Sequence, residues 1–161
     1  MDAVSSYFDA ERAESLLFIG IGALALAACV YVVSARRSAF FKGMALSLAI
    51  VALIQLVVGI TVFVRSPQDD ARVHAALRAD RAHIAEVEVP RMKVVVRNFV
   101  LYRWIELALL LLGAVLVARA ARGSAVRGAG LGLALQAALM LALDLFAERR
   151  AEAYLGFLAA T

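Results

Sequence analysis

Gly128–Glu148, GAGLGLALQAALMLALDLFAE, is the stretch whose reading decides the fold. It is long enough to cross a bilayer, and it carries groups that lipid rejects. Every fourth position reads Ser124, Gly128, Gly132, Gln136, Met140, Asp144 and Glu148, a row that shares one slowly drifting face of a helix. An amide or a carboxylate in hydrocarbon is strongly unfavourable unless it meets a partner. This face therefore turns toward other helices or a wet cavity, and the rest of the chain must supply what it meets.

Composition agrees with a membrane setting. The 161 residues are 64% hydrophobic and only 19% charged, with a mean hydropathy of +0.86. A soluble domain is about half apolar and roughly a quarter charged. The charges are also segregated: long apolar intervals have none, and the connecting pieces are dense in Arg and acids. The net charge of +4 and pI near 9.7 do not indicate nucleic acid, because no soluble stretch clusters Lys and Arg with aromatics. Cys29 is the only cysteine, which excludes an internal disulfide, a CxxC pair and a cysteine-based zinc site. It reads as a small packing residue. No metal or cofactor is expected.

Working outward to the N-terminus, Met1–Glu14 is a polar lead in which Asp9 can cap a helix starting at Ala10. Residues 15–33 form the first span, thinned by Gly20, Gly22 and several alanines for close helix approach. The lead is acidic and no small-residue cleavage site follows the run, so a retained span is expected rather than a signal peptide. Ser34–Lys42 carries Arg36, Arg37 and Lys42 without an acid, and residues 43–64 form the second span. Gln55 there sits one turn from Gly59, an amide beside a notch, as in interhelical hydrogen bonding.

Residues 66–98 are expected to be a helical segment outside the membrane. Ser66-Pro67 before Asp69 and Asp70 has the signature of a helix start, and Val73, Leu77, Ile84 and Val87 recur at helical spacing with Asp80 interrupting. Pro90 is expected to break or kink this helix, and Glu86-Val87-Glu88-Val89 allows a short extended piece instead. His74 and His83 point to opposite helix faces, so they share no metal and should be solvated.

The third span, 99–118, begins with Asn98, Tyr102 and Glu106 on one face, continued by Gly113. Arg103, three residues before Glu106, can pair with it. Tyr102 and Trp104 are membrane-interface anchors by type. Arg119–Arg127 adds Arg119, Arg122 and Arg127, again without an acid, before the fourth span at 129–147. Arg149–Thr161 is an amphipathic tail expected to lie along the interface or pack on the bundle. Gly128-Ala129-Gly130-Leu131-Gly132 resembles a phosphate loop in spacing, but it lacks the strand and βαβ unit such a loop needs. Gly128 and Gly132 are better read as a packing notch.

The expected fold is all-α: an integral membrane four-helix antiparallel bundle with an extramembrane helical excursion between helices 2 and 3. The two short basic loops should face the cytoplasm, which places both termini and the 66–98 segment outside a cell (inner) membrane. Glu11, Arg12, Glu14, Arg103, Glu106, Asp144, Glu148, Arg149 and Arg150 then gather near the outer boundary, and Gln55 and Gln136 lie deeper. Arg103 is expected to engage Glu106, Asp144 or both.

Three roles suit this polar set. As an interaction protein, the chain uses the network to fix its bundle and presents the outer segment to a partner. As a channel or transporter, it uses Gln55, Gln136, Glu106 and Asp144 to line a path for an ion, a proton or a solute. As a lipid-directed enzyme, it uses Asp144 or Glu106 as base, Arg103 on a phosphate and Tyr102 as acid, though no HExxH or Ser–His arrangement supports this. Four thin helices also favour self-association as a dimer or trimer, or a membrane-protein partner, within the lipid bilayer.

Overall fold

In a computed structural model, residues 3–79 and 81–159 are described, with side chains for all of these except 79 and 81–85. The expectations for Asp80, His83 and Ile84 lie outside the described side chains. The chain is all-helical: α1 (Ala3–Ala35), α2 (Ala39–Ala79), α3 (Arg81–Arg119) and α4 (Ala125–Ala159). All four are long and apolar enough to cross a membrane. Ala- and Leu-rich runs favour helix intrinsically, and a helix satisfies its own backbone polar groups wherever water is absent.

The helices are 33 to 41 residues long, or about 50–60 Å at 1.5 Å per residue, against a hydrocarbon core of roughly 30 Å. The excess is gathered at one end. At the other end the connections are tight: residues 36–38 join α1 to α2 and residues 120–124 join α3 to α4. Gly123 takes the left-handed turn there with φ +79°, and Ser124 caps α4, its Oγ accepting the Arg127 N–H at 3.2 Å.

Residues 29, 22 and 15–18 of α1 meet residues 45, 52–56 and 59 of α2 in turn. Similarly, Gly113 and Arg103 of α3 meet Gly130 and Glu148 of α4. The two pairs join through α2 and α4, so α1 and α3 occupy opposite flanks.

Two zones result. Along the apolar runs the surface is bare, with Leu24, Val30, Leu46 and Leu111 each about two-thirds exposed or more (72%, 68%, 64% and 66%). At the other end the four helix extensions fold together as a head with a conventional core: Val4, Tyr7, Phe8, Val73, Met92, Ala151, Tyr154 and Leu158. Tyr7 stacks on Tyr154 with ring centroids 4.2 Å apart.

Several local expectations are corrected. Asp9 is no cap, because α1 already runs through it from Ala3. Ser66-Pro67 is not a helix start and Pro90 is not a break: both prolines sit inside continuous helices with exposed rings. Helix continues on both sides of each proline, and outward placement leaves the freed carbonyl open to water. Residues 86–89 keep to the helical reading, and the extended alternative falls away. The C-terminal tail packs on the head through Tyr154 and Leu158 as a continuation of α4.

Candidate functional site

The α4 row keeps its inward face, and its partners form a ladder. At the first rung, α4 meets α2 almost backbone to backbone. A methyl placed on Gly128 would overlap the Phe40 carbonyl, and one on Gly132 would lie 2.7 Å from the Met44 oxygen. Gly130, on the opposite side, packs on α3, where a methyl would lie 2.6 Å from the Leu116 Cβ. The glycine run is thus a double packing notch that lets α4 sit between two neighbours. Gly43, against Ala125, and Gly22, against Leu56, serve the same purpose, as do Gly59 and Gly113. Gly20 does not: it is exposed, with nothing within 4 Å of an added methyl. Gly22 lies two residues on, about 200° around the helix, and holds the contact instead.

One rung on, Gln136 Nε2 donates to Gln55 Oε1 at 2.6 Å, and both residues are buried. Gln55 Nε2 has no hydrogen-bond partner among the described residues. The Glu106 and Asp144 carboxyl groups then face one another between α3 and α4, and the buried Glu106 Oε2 is also without a hydrogen-bond partner.

Arg103 departs from expectation. Its Nη1 donates to both carboxylate oxygens of Glu148, at 3.0 and 3.2 Å, rather than to Glu106 or Asp144. An Arg preceding a Glu is the less favourable helical order, and Glu148 faces Arg103 one turn nearer the head than Asp144 does. Asn98 and Tyr102 do not join the ladder: Tyr102 is 45% exposed with its ring edge-on to Phe99, and Asn98 makes no described side-chain bond to the set. Trp104, 65% exposed, faces outward as an anchor would.

The ladder ends in the head. Arg150 pairs with Glu14, Ser66 donates to Glu11, and Arg12 lies 4.6 Å over the Phe63 ring. From Glu11 a chain of alternating charges crosses three helices. Glu11–Arg65 is 3.5 Å, Arg65–Asp69 3.1 Å, Asp69–Arg72 3.1 Å and Arg72–Glu88 3.5 Å, and Glu88 then pairs with Arg91. Glu88 is buried. Burial works against the Arg91 cation, but the hydrogen bond and charge of Glu88 outweigh it, so its pKa lies above the ordinary value. Burial likewise pushes the Tyr7 and Tyr154 hydroxyls above the usual phenol range, helped by Glu11 and Glu88 respectively.

His74 is half-buried rather than solvated, its Nδ1 3.0 Å from Asp70 Oδ1 and its Nε2 3.4 Å from Ser5 Oγ. Among the described residues no group of three or more His, Cys, Asp or Glu could hold a metal. Sequence reasoning missed the charge chain: its members were visible, but the order of their pairing depends on the register between helices. No protein-family model, curated protein or solved structure matches this chain. What the fold defines is a class, a small all-helical chain whose four helices are each long and apolar enough to cross a membrane.

Proposed function

We propose that this protein is an embedded antiparallel bundle of the inner cell membrane that acts by interaction, as an accessory, assembly or scaffold subunit. Its head and both ends of the chain face the extracytoplasmic side. The observation that carries this reading is the head itself. The extensions of all four helices share one core, and a chain of ion pairs ties three of them together, which offers a shaped surface at one end of the helices. The ladder beneath it fixes the register between helices, and self-association or a membrane-protein partner would cover the thin flanks.

A second reading is favoured by one feature. The Glu106–Asp144 pair, with Glu106 Oε2 unpartnered, and the free Gln55 Nε2 are what a small ion, proton or solute path would offer. The lipid-directed enzyme reading is weakened, since Arg103 is engaged by Glu148 and Tyr102 faces outward.

Reconstitution separates the first two. The interaction reading expects proteoliposomes to leak no faster than protein-free vesicles. It also expects a photocrosslinker on the exposed head positions Lys93 and Arg97 to give a discrete protein adduct in native membranes. A specific flux abolished by Asp144→Asn or Glu106→Gln in a folded protein would replace it with transport.

A further inference from the structure

We propose that the end of the bundle opposite the head is a binding surface for anionic phospholipid headgroups. It is built from the 36–42 and 119–127 loops together. Arg36, Arg37, Lys42, Arg119, Arg122 and Arg127 lie there without an acid in either loop, and every described acid lies toward the head. Close crossing brings the loops side by side: Gly43 sits against Ala125, and Gly128 sits under the Phe40 carbonyl. Two short runs distant in sequence thereby become one patch.

The use of the cations differs between the ends. Toward the head, Arg65, Arg72, Arg91, Arg103 and Arg150 each engage a carboxylate. At the opposite end none of the six makes an ion pair with a described residue, and all are exposed except the half-buried Arg127. Arg36 rests over the Phe41 ring at 5.8 Å, a contact that leaves its charge unneutralised. The helix dipoles do not supply the missing charge. Two helices begin here and two end here, so their termini, about half a charge each, cancel to first order. Six like charges held together and used for no internal ion pair call for an external anion.

The place of the patch says which anion. Directly adjoining it are bare apolar side chains, Val30 and Tyr31 on α1, Leu46 on α2 and Val126 on α4, exposed by 68%, 67%, 64% and 52%. Acyl chains would cover these, and the same molecules carry their phosphates to the level of the loops. Basic clusters at the edge of a span attract anionic lipid by about 1 kcal/mol per cation, which is roughly fivefold per charge. The inference rests on membrane embedding, which carbonate extraction and flotation test separately.

The full chain is reconstituted in nanodiscs of equal parts phosphatidylglycerol and phosphatidylcholine, released into mild detergent, and its retained lipids are weighed by native mass spectrometry. Phosphatidylglycerol is expected to be enriched at least about tenfold over phosphatidylcholine, with retention falling as salt rises. The combined variant Arg36→Gln, Arg37→Gln, Arg119→Gln and Arg122→Gln should lose that enrichment. Lys93→Gln with Arg97→Gln, exposed cations of the head, should keep it. Retention in the bulk lipid ratio, or equal loss in both variants, overturns the proposal. Full displacement by inorganic phosphate, by a short single-stranded DNA or by an acidic peptide also overturns it, in favour of a soluble anion. Should the fourfold variant fail to fold, the salt titration and competitors on the unaltered chain decide the matter.

Discussion

The head and the spans belong to the same four helices, yet they are held by different forces. In the head, Val4, Phe8, Val73 and Met92 are removed from water, and buried charges are compensated along the Glu11-to-Arg91 chain. That is the arrangement of a soluble core. In the spans the large apolar side chains point away from the protein, and the contacts are made by glycines and small side chains. In a bilayer, lipid tails are as apolar as leucine, so burying leucine there would bring no comparable advantage and close backbone packing would have to hold the helices. Where each force operates follows from where the apolar run of each helix gives way to its polar extension.

The largest effects should come from attacking the head. Met92→Ala, at a fully buried position, should cost about 2–5 kcal/mol. Limited proteolysis should then cut the α2–α3 connection far sooner, while the detergent-embedded part stays helical by circular dichroism. Glu88→Gln takes the anion from between Arg72 and Arg91, whose side chains are 46% and 27% exposed, so water offsets part of the loss and about 1–3 kcal/mol is expected, with the same pattern. If either change melts the spans at the same temperature as the head, the two zones are one cooperative unit.

Gly128→Ala attacks the other force. The added methyl overlaps the Phe40 carbonyl, which is backbone and cannot rotate away, so α2 and α4 must part. Overpacking of this kind costs about 1–3 kcal/mol, and thermal unfolding in detergent would show it in the spans.

Gly128 and Gly132 were legible because four-residue spacing names a helix face directly, and the spans and basic loops followed from hydropathy and charge. Pro67 as a helix start and Pro90 as a helix break were misread because their local signals were outvoted by the packing of the head, which no window of sequence contains. Arg103 was given the wrong partner for a related reason. Periodicity tells which residues share a face, but the vertical offset between α3 and α4, which sets Arg103 against Glu148 and Glu106 against Asp144, is a property of two helices together. The head was half visible: the 66–98 excursion, a first helix starting ahead of its span and a tail able to pack on the bundle were all read, but not that these pieces would share one core.

Alkaline pH should loosen the head more gently than these substitutions. Tyr7 and Tyr154 hold their protons more tightly folded than unfolded, so their contribution is fully present below the ordinary phenol pKa near 10. It is lost as pH rises past that value toward the folded one, because the unfolded chain ionises first. The proteolytic stability of the head should therefore fall above about pH 10. Tyr154→Phe should flatten that fall, since Tyr154 Oη is buried with no hydrogen-bond partner to lose. An unchanged alkaline limb in this variant would assign the effect elsewhere.

The smallest change makes the sharpest comparison. Gly20 and Gly128 are both glycines in apolar helices, and only the second touches a neighbouring backbone. Gly20→Ala meets nothing within 4 Å, so the methyl enters the surroundings of the protein and the altered helix gains the intrinsic preference of alanine, about 0.5–1 kcal/mol. A slight rise in melting temperature is expected where Gly128→Ala produces a fall. Two substitutions alike in chemistry and opposite in sign would show that contact with the next helix, rather than glycine content, is what the spans depend on. A fall at Gly20 would mean that the bare flank of α1 is covered in the membrane by another copy or a partner, and the comparison of zones would have to include that interface.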